Sequence, residues 1–137
     1  MTGVESATIL IIDDDDDLIS AIRPPLEQAN YRVVRACDGQ AGVEMARTNR
    51  PDLILLDWMM PVKNGFEACA ELRKMGHLDR VPILVMTAFG QDVGEIYGVR
   101  KGDAGVHIHD YLEKPLEINV LLQRIAQALA SPGTAQA

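Results

Sequence analysis

Three stretches of the chain consist almost entirely of large aliphatic residues, and each of them stops at a polar residue. Residues 53–56 run directly into Asp57, residues 8–12 into Asp13, and residues 81–86 into Thr87. Apolar runs of this length between turn signals are typical of strands buried on both faces, as in the centre of a parallel sheet. The sequence therefore predicts an α/β protein whose polar strand ends lie where such sheets bind ligands.

The segments between these runs complete an alternating pattern of strands and helices. Apolar residues three and four apart predict helices over about residues 16–28, 41–46, 66–75 and 116–129. Residues 31–36 and 106–112 mix polar with apolar positions, as edge strands do. Five strands alternating with five helices imply a doubly wound parallel sheet with right-handed crossovers. With the three apolar strands at its centre, the expected strand order is 2-1-3-4-5, that of a flavodoxin-like (βα)5 fold.

Two of these helices carry residues that should shape or end them. Pro24 and Pro25 fall in the middle of the first helix, where a proline in an ideal interior costs about 3 kcal/mol, so we expect a kink. Asn30 suits a left-handed cap after that helix. Gly76 is expected to end the third helix.

The predicted helix between the fourth and fifth strands is the least regular. Its segment contains Gly90, Gly94, Gly98, Gly102 and Gly105. Each glycine inside a helix costs about 1 kcal/mol relative to alanine, so this helix should be short, irregular or mobile. The four-residue spacing of the first four glycines is also compatible with a close-packing face.

Composition restricts the class of protein. The 137 residues carry a formal net charge of -7 and predict one domain, over residues 7–130, followed by a disordered tail at 131–137. The acidic balance argues against direct nucleic-acid binding, which needs clustered Lys and Arg. No apolar run approaches the roughly 20 residues of a membrane span, so we expect a cytoplasmic protein without a membrane partner. Cys37 and Cys69 are expected to be reduced and to serve packing.

Acidic residues follow two of the buried strands. In the order 2-1-3-4-5 the ends of strands one and three meet where the order reverses, so Asp13, Asp14 and Asp57 should lie together. Three carboxylates within ~5 Å repel each other by roughly 3 kcal/mol per pair at an effective dielectric near 20. An oxygen-only site of this kind fits Mg²⁺, and Mn²⁺ is chemically acceptable too.

Two further functional groups should reach the same edge of the sheet. Thr87 ends strand four and Lys114 follows strand five. A hydroxyl can donate a hydrogen bond to a phosphoryl oxygen, and an ammonium group can neutralise one. Together with metal-binding carboxylates, these groups are what a carboxylate nucleophile needs to attack phosphorus. The expected product is an aspartyl phosphate.

Four short segments, taken together, resemble the receiver domain of two-component response regulators. They are residues 9–14 (ILIIDD), 55–61 (LLDWMMP), 87–88 (TA) and 111–115 (YLEKP). Each segment is weak alone, but all four occur in order and each at a predicted strand end. The resemblance covers about residues 7–130 and implies the fold expected above.

The resemblance also implies roles for individual residues. Asp57 would be the phosphoacceptor and would bind Mg²⁺ directly together with Asp14, while Asp13 would act through water and Met59 through its backbone carbonyl. The phosphoryl group would be contacted by Thr87, Lys114 and the backbone of Ala88. Tyr111 would be the aromatic switch residue that turns inward when Thr87 moves. Met59 and Phe89 fall where the family tunes the phosphoryl lifetime, and both are apolar here.

The function implied is that of a single-domain response regulator rather than an enzyme. A sensor histidine kinase or histidine phosphotransfer protein would supply the phosphoryl group. A downstream protein target would read the face formed by the fourth helix, fifth strand and fifth helix, and a phosphorylation-dependent dimer is a further option. The alternatives are a receiver domain from a longer regulator, an unphosphorylated interaction module, and a metal-dependent phosphohydrolase. Such phosphohydrolases usually have a second Asp where Met59 stands.

Some polar residues have simpler interpretations. Asp15, Asp16 and Asp17 are expected to cap the first helix and to be solvated. His107 and His109 share one face of a predicted strand, but two ligands without a third make a poor metal site. His77 is expected to be solvated.

Overall fold

A computed structural model of the chain describes residues 6–60, 62–88 and 108–130. They form a five-stranded sheet in the predicted order, β2-β1-β3-β4-β5, with every neighbouring pair parallel. The strands are β1 (Thr8–Ile12), β2 (Arg32–Ala36), β3 (Leu53–Asp57), β4 (Ile83–Thr87) and β5 (Asp110–Glu113). The described helices are α1 (Asp16–Gln28), α2 (Gly39–Asn49), α3 (Gly65–Arg73) and α4 (Ile118–Ala130), with a 3₁₀ turn at Gly76–Leu78. The predicted glycine-rich helix and the tail at 131–137 lie outside the described residues.

Alternation along the central strands divides the core into two layers. Ile9 and Ile11 of β1 belong to the layer that α1 and α4 cover, whereas Leu10 and Ile12 belong to the layer under α2 and α3. Side chains of β3 and β4 alternate between the same two layers. Since successive residues of a strand point to opposite faces, a continuous aliphatic run supplies both layers at once. This is why the three runs became the three central strands.

Side-chain caps fix where the first three helices begin. Asp15 accepts hydrogen bonds from the backbone N–H groups of Asp17 and Leu18, and Asp38 accepts one from Ala41. At α3, Asn64 and Glu67 form a reciprocal capping box. These bonds satisfy N–H groups that have no partner inside a helix. Capping by Asp15 was expected, whereas the box at α3 was not.

The first helix continues through its two prolines to Gln28. A proline cannot donate a hydrogen bond to the carbonyl four residues before it. Pro24 is exposed and Pro25 half-buried, and the carbonyls left without this donor belong to Ser20 and Ala21, which are exposed. Asn30 has a φ of 74°, which confirms the predicted left-handed cap.

Two strand boundaries differ from the sequence prediction. The fifth strand begins at Asp110, because its ladder with β4 starts at the pair Leu84 and Asp110. Of the residues predicted to precede it, Ile108 and His109 lie before the strand, and 106 and 107 lie outside the described residues. The fourth strand begins at Ile83 rather than at residue 81, since Pro82 has no N–H to donate to a ladder.

Two predictions about single residues were wrong. His77 is half-buried, and its Nε2 lies 2.9 Å from the Ala46 carbonyl oxygen, because the 3₁₀ turn after α3 brings it against α2. Cys37 is exposed in the loop before α2 and therefore does not serve packing. Cys69 is buried as expected, and burial raises the pKa of its thiol to about 11. It therefore stays protonated and unreactive.

No described helix is long and apolar enough to cross a bilayer.

Helix α2 approaches β1 through a glycine, and this contact can be tested. A Cβ atom built on Gly42 would lie 2.5 Å from Cδ1 of the buried Ile12, whereas one on Gly76 would meet nothing within 4 Å. We expect Gly42→Ala to lower the free energy of unfolding by roughly 1–3 kcal/mol through overpacking, despite the better helix propensity of alanine. Urea denaturation measures this. Gly76→Ala is the control and should stay within about 0.5 kcal/mol of the parent. Equal stability of the two variants would contradict the close approach.

Candidate functional site

The carboxyl ends of β1 and β3 lie side by side, and they bring three acidic residues together. Residues Ile9 to Ile12 pair with Leu53 to Leu56, so Asp13 emerges next to Asp57. One carboxylate oxygen from each of Asp13, Asp14 and Asp57 lies within 4.8 Å of the others. This is the point at which the strand order reverses, where open α/β sheets bind their ligands. The predicted convergence of the three acids is confirmed.

The three carboxylates differ in burial and in hydrogen bonding. Asp13 is 0% exposed and Asp57 is 5% exposed, while Asp14 faces solvent. One Asp13 oxygen accepts from the N–H of Asp15 at 2.9 Å, and the other accepts from the Lys114 Nζ at 2.9 Å. Both Asp13 carboxylate oxygens therefore accept hydrogen bonds from within the protein. Of the three acids, Asp14 is the one that an ion from solvent can reach directly.

Lys114 joins the two buried carboxylates. Its Nζ lies 2.9 Å from Asp13 Oδ2 and 3.5 Å from Asp57 Oδ1. The end of β5 places it there, and its N–H donates to the Thr87 carbonyl at 2.8 Å. Burial alone would lower the pKa of Lys114, but the hydrogen bond to Asp13 and the charges of both carboxylates outweigh it and raise that pKa. The lysine is therefore a fixed positive charge at the site.

Asp57 keeps an unfavourable negative charge despite this lysine. Burial raises its pKa most, and repulsion by Asp13 adds to that effect. Attraction by Lys114 and the hydrogen bond from the Met59 N–H, at 3.3 Å, act in the other direction without cancelling it. The resulting pKa is about 6, raised from 3.8. A cation near Asp57 would relieve this cost.

The other predicted site residues are arranged around this centre. Thr87 is buried at the end of β4, one residue beyond the partner of Asp57 in the ladder. The Met59 side chain is 65% exposed, and Ala88 is exposed where β4 ends. Tyr111 is half-buried on β5, opposite Val85, and packs on the core layer under α2 and α3. Phe89 and His107 lie outside the described residues.

The donor set fits a hard divalent cation. Mg²⁺ binds through one or two carboxylates and keeps several waters. The carboxylates of Asp14 and Asp57 lie close enough together to share one ion, whereas Asp13 accepts the shorter hydrogen bond from Lys114. The cluster found among the described residues consists of carboxylates alone, and these favour a hard cation over the softer metals that bind Cys or His.

A close contact behind Asp57 was not foreseen from the sequence. Trp58 is fully buried, and its ring meets that of Phe66 edge to face at 6.3 Å and 77°. The N–H of Gly65 donates to the Trp58 carbonyl at 3.0 Å, and a Cβ on Gly65 would lie 2.7 Å from the Trp58 Cα. Glycine is thus required where α3 begins. The sequence shows Asn64 and Gly65 in succession, which favours a turn, but it does not show this contact.

Arg35 is a second residue that the sequence did not single out. It lies in β2, and its guanidinium group donates two hydrogen bonds to the Asp13 carbonyl oxygen, at 3.1 and 3.0 Å. A mixed edge strand contains several exposed polar positions, so nothing in the local pattern distinguished this arginine from Arg32.

Comparison with known proteins gives consistent matches. A family model described as the response regulator receiver domain matches residues 9–126. Protein PilH of Pseudomonas aeruginosa is 35% identical over 124 residues, which cover 90% of this chain and 98% of PilH. The transcriptional regulatory protein AfsQ1 of Streptomyces coelicolor is 36% identical over 122 residues, which cover 89% of this chain and 51% of AfsQ1. The chain therefore spans about half the length of AfsQ1 but nearly all of PilH.

A solved structure with the same fold contains a metal ion. The receiver domain of the sensor histidine kinase PA1611 from Pseudomonas aeruginosa is 31% identical and has a TM-score of 0.78, covering 92% of this chain and 99% of that chain. That crystal structure has a magnesium ion coordinated in its active site cleft.

The raised pKa of Asp57 predicts a pH-dependent stability in metal-free buffer. Because the pKa of about 6 lies above the unfolded value near 3.8, the free energy of unfolding should fall as pH rises from about 4 to about 6 and then stay low. Asp57→Asn removes this cost and should stabilise the protein at pH 7.5 by roughly 1–3 kcal/mol, since each pKa unit corresponds to about 1.4 kcal/mol. Urea denaturation with a chelator measures the difference.

Asp17→Asn is the matched control, because Asp17 is an exposed acid in the first turn of α1. It should change stability by no more than about 0.5 kcal/mol. If Asp57→Asn were no more stable than the parent at pH 7.5, the assigned burial cost would be wrong.

Proposed function

The chain belongs to the receiver-domain family of response regulators, and on that basis we propose that Asp57 accepts a phosphoryl group from a phosphohistidine. The observation that carries the proposal is the environment of Asp57. It is a nearly buried carboxylate at a strand end, with a lysine ammonium 3.5 Å from one oxygen and two further acids within reach of one ion. A carboxylate in this setting is a nucleophile whose negative charge Lys114 offsets only in part, and a bound cation would offset the remainder.

The transfer itself needs little from the protein beyond position and charge. An Asp57 carboxylate oxygen attacks phosphorus and forms an acyl phosphate, while the P–N bond to the donor imidazole breaks and its electron pair stays on the nitrogen. The proposed donors to the phosphoryl oxygens are the Lys114 ammonium group, the Thr87 hydroxyl and the Ala88 N–H. Their role is to meet the negative charge that the phosphoryl group brings.

Magnesium is the proposed cofactor, with manganese as an acceptable substitute. Asp14 and Asp57 would bind it directly, Met59 through its backbone carbonyl, and Asp13 through water. The support is the convergence of three carboxylate oxygens within 4.8 Å and the uncompensated burial of Asp57. When bound, the ion would supply the positive charge that Asp57 and the incoming phosphoryl group share.

A phosphohydrolase is disfavoured by the residue two positions after Asp57. Met59 has an exposed thioether side chain, which can neither protonate a leaving group nor activate water. We therefore propose a phosphoacceptor that signals. Its donors would be a sensor histidine kinase or a histidine phosphotransfer protein, and its output a downstream protein contact or phosphorylation-dependent dimerisation.

The proposed signal runs from Thr87 to Tyr111. Thr87 ends β4, and Tyr111 lies on the neighbouring β5, two residues back along the ladder. In this proposal the Thr87 hydroxyl turns toward the phosphoryl group, and the half-buried Tyr111 ring turns inward in response. The face read by a partner would then include β5, α4 and the glycine-rich segment before β5.

The first functional prediction uses the single tryptophan as a reporter. Trp58 adjoins Asp57 and is fully buried, so binding at Asp57 should change its fluorescence. We expect one change with Mg²⁺ and a further change with beryllofluoride or acetyl phosphate. Asp57→Asn should abolish the second change, and a chelator should reverse the first. An unchanged signal in the parent, or the same response in Asp57→Asn, would refute the assignment.

The second prediction concerns Lys114. Lys114→Ala should slow labelling by acetyl phosphate roughly 10²- to 10³-fold, the usual cost of removing one group that stabilises a developing anion. Intact-mass spectrometry of the acyl phosphate measures the rate. Lys74→Ala is the control, because Lys74 is an exposed lysine at the end of α3 and should leave the rate unchanged. Equal labelling rates for the two variants would contradict a role for Lys114 in the phosphorylation reaction.

A further inference from the structure

Arg35 lies one strand away from the acidic residues but contacts the loop that carries them. Its Nε and Nη2 donate to the Asp13 carbonyl oxygen at 3.1 and 3.0 Å, and its Nη1 lies 2.8 Å from Asp16 Oδ1. The Arg35 side chain is 19% exposed and the Asp16 side chain 85%. One guanidinium group therefore bonds to the loop on both sides of Asp14.

The two bonds to the carbonyl constrain Asp14 directly. The Asp13 carbonyl belongs to the same planar peptide unit as the N–H of Asp14. Two donors in a fixed fork set the orientation of that plane, and hence the direction in which the Asp14 side chain leaves the backbone. The preceding peptide unit is held independently, because the Asp13 N–H, which belongs to it, donates to the Ala36 carbonyl at 3.1 Å.

We propose that Arg35 is a positioning residue for divalent-cation binding. It holds the peptide before Asp14 so that this exposed carboxylate faces Asp57 before the ion arrives. The inference rests on the proposed function, since it concerns the same metal site. The positioning comes from the two hydrogen bonds to the Asp13 carbonyl. The ion pair with the exposed Asp16 contributes little to it, because exposed ion pairs contribute little free energy.

A purely electrostatic role for Arg35 would have the opposite sign. A positive charge beside a cation site weakens cation binding, so its removal would tighten binding. At physiological salt the Debye length is about 8 Å, so salt weakens this repulsion but does not abolish it. Loss of a group that orients a metal ligand typically weakens metal binding 10- to 100-fold. At 0.15 M salt the positioning effect should therefore exceed the charge effect.

The test is calorimetric titration of the full chain with Mg²⁺ at about 0.15 M salt, chosen for this screening length. Arg35→Gln removes both the charge and the fork, whereas Arg35→Lys keeps the charge and loses the fork. We expect both variants to bind Mg²⁺ roughly tenfold more weakly than the parent. Asp16→Asn, which leaves the fork intact, should bind like the parent.

Arg23→Gln is the matched control for general destabilisation. Like Arg35, Arg23 bonds to one backbone carbonyl, that of Val33 in β2 at 3.3 Å, and to one carboxylate, that of Glu27 at 3.2 Å, but it does so from α1. Arg23→Gln should lose some stability in urea denaturation and keep the parent affinity for Mg²⁺.

Parent-like or tighter binding by Arg35→Lys would overturn the inference, and this variant decides the matter if Arg35→Gln does not fold. Weakened binding by Arg23→Gln to the same degree would also overturn it, because the effect would then be one of stability. Failure of the parent chain to bind Mg²⁺ would instead contradict the proposed function on which the inference rests.

Discussion

Two buried carboxylates repel each other at the centre of this site, and the groups around them reduce that repulsion. Pairing of β1 with β3 places Asp13 beside Asp57, and both are removed from water. Asp13 is compensated by the Asp15 N–H and by Lys114, so the unfavourable charge remains concentrated on Asp57. In the proposed function, the elements that reach this point would keep Asp57 anionic and reactive in a place that disfavours its charge.

The sheet and the acidic centre could be read from the sequence because both follow from local patterns. An aliphatic run of four residues between turn signals is typical of a central strand, and the predicted strand order then places Asp13 beside Asp57. The bounds of α1 were predicted correctly for a similar reason, since Asp15 caps it and Asn30 ends it with a left-handed residue. The aliphatic runs and the helix caps behind these predictions each consist of residues close together in the chain.

Features that depend on a distant partner were not predictable in the same way. The start of β5 depends on where β4 offers a ladder, and the burial of His77 depends on α2 lying against the turn after α3. Arg35 and Gly65 matter because of an Asp13 carbonyl and a Trp58 backbone that only the folded chain brings to them. A single sequence records the residue in each case but not the contact that gives it its role.

The exposure of Asp14 has a consequence for the timing of the proposed metal site. Asp13 and Asp57 are enclosed by the sheet, whereas Asp14 stands at the outer corner of the cluster. Magnesium gives up its hydration water reluctantly. If the proposed site binds the ion, a hydrated ion would meet Asp14 first, and loading would require no separation of strands. Occupancy would then follow the ambient magnesium concentration on a timescale set by dehydration of the ion rather than by opening of the fold.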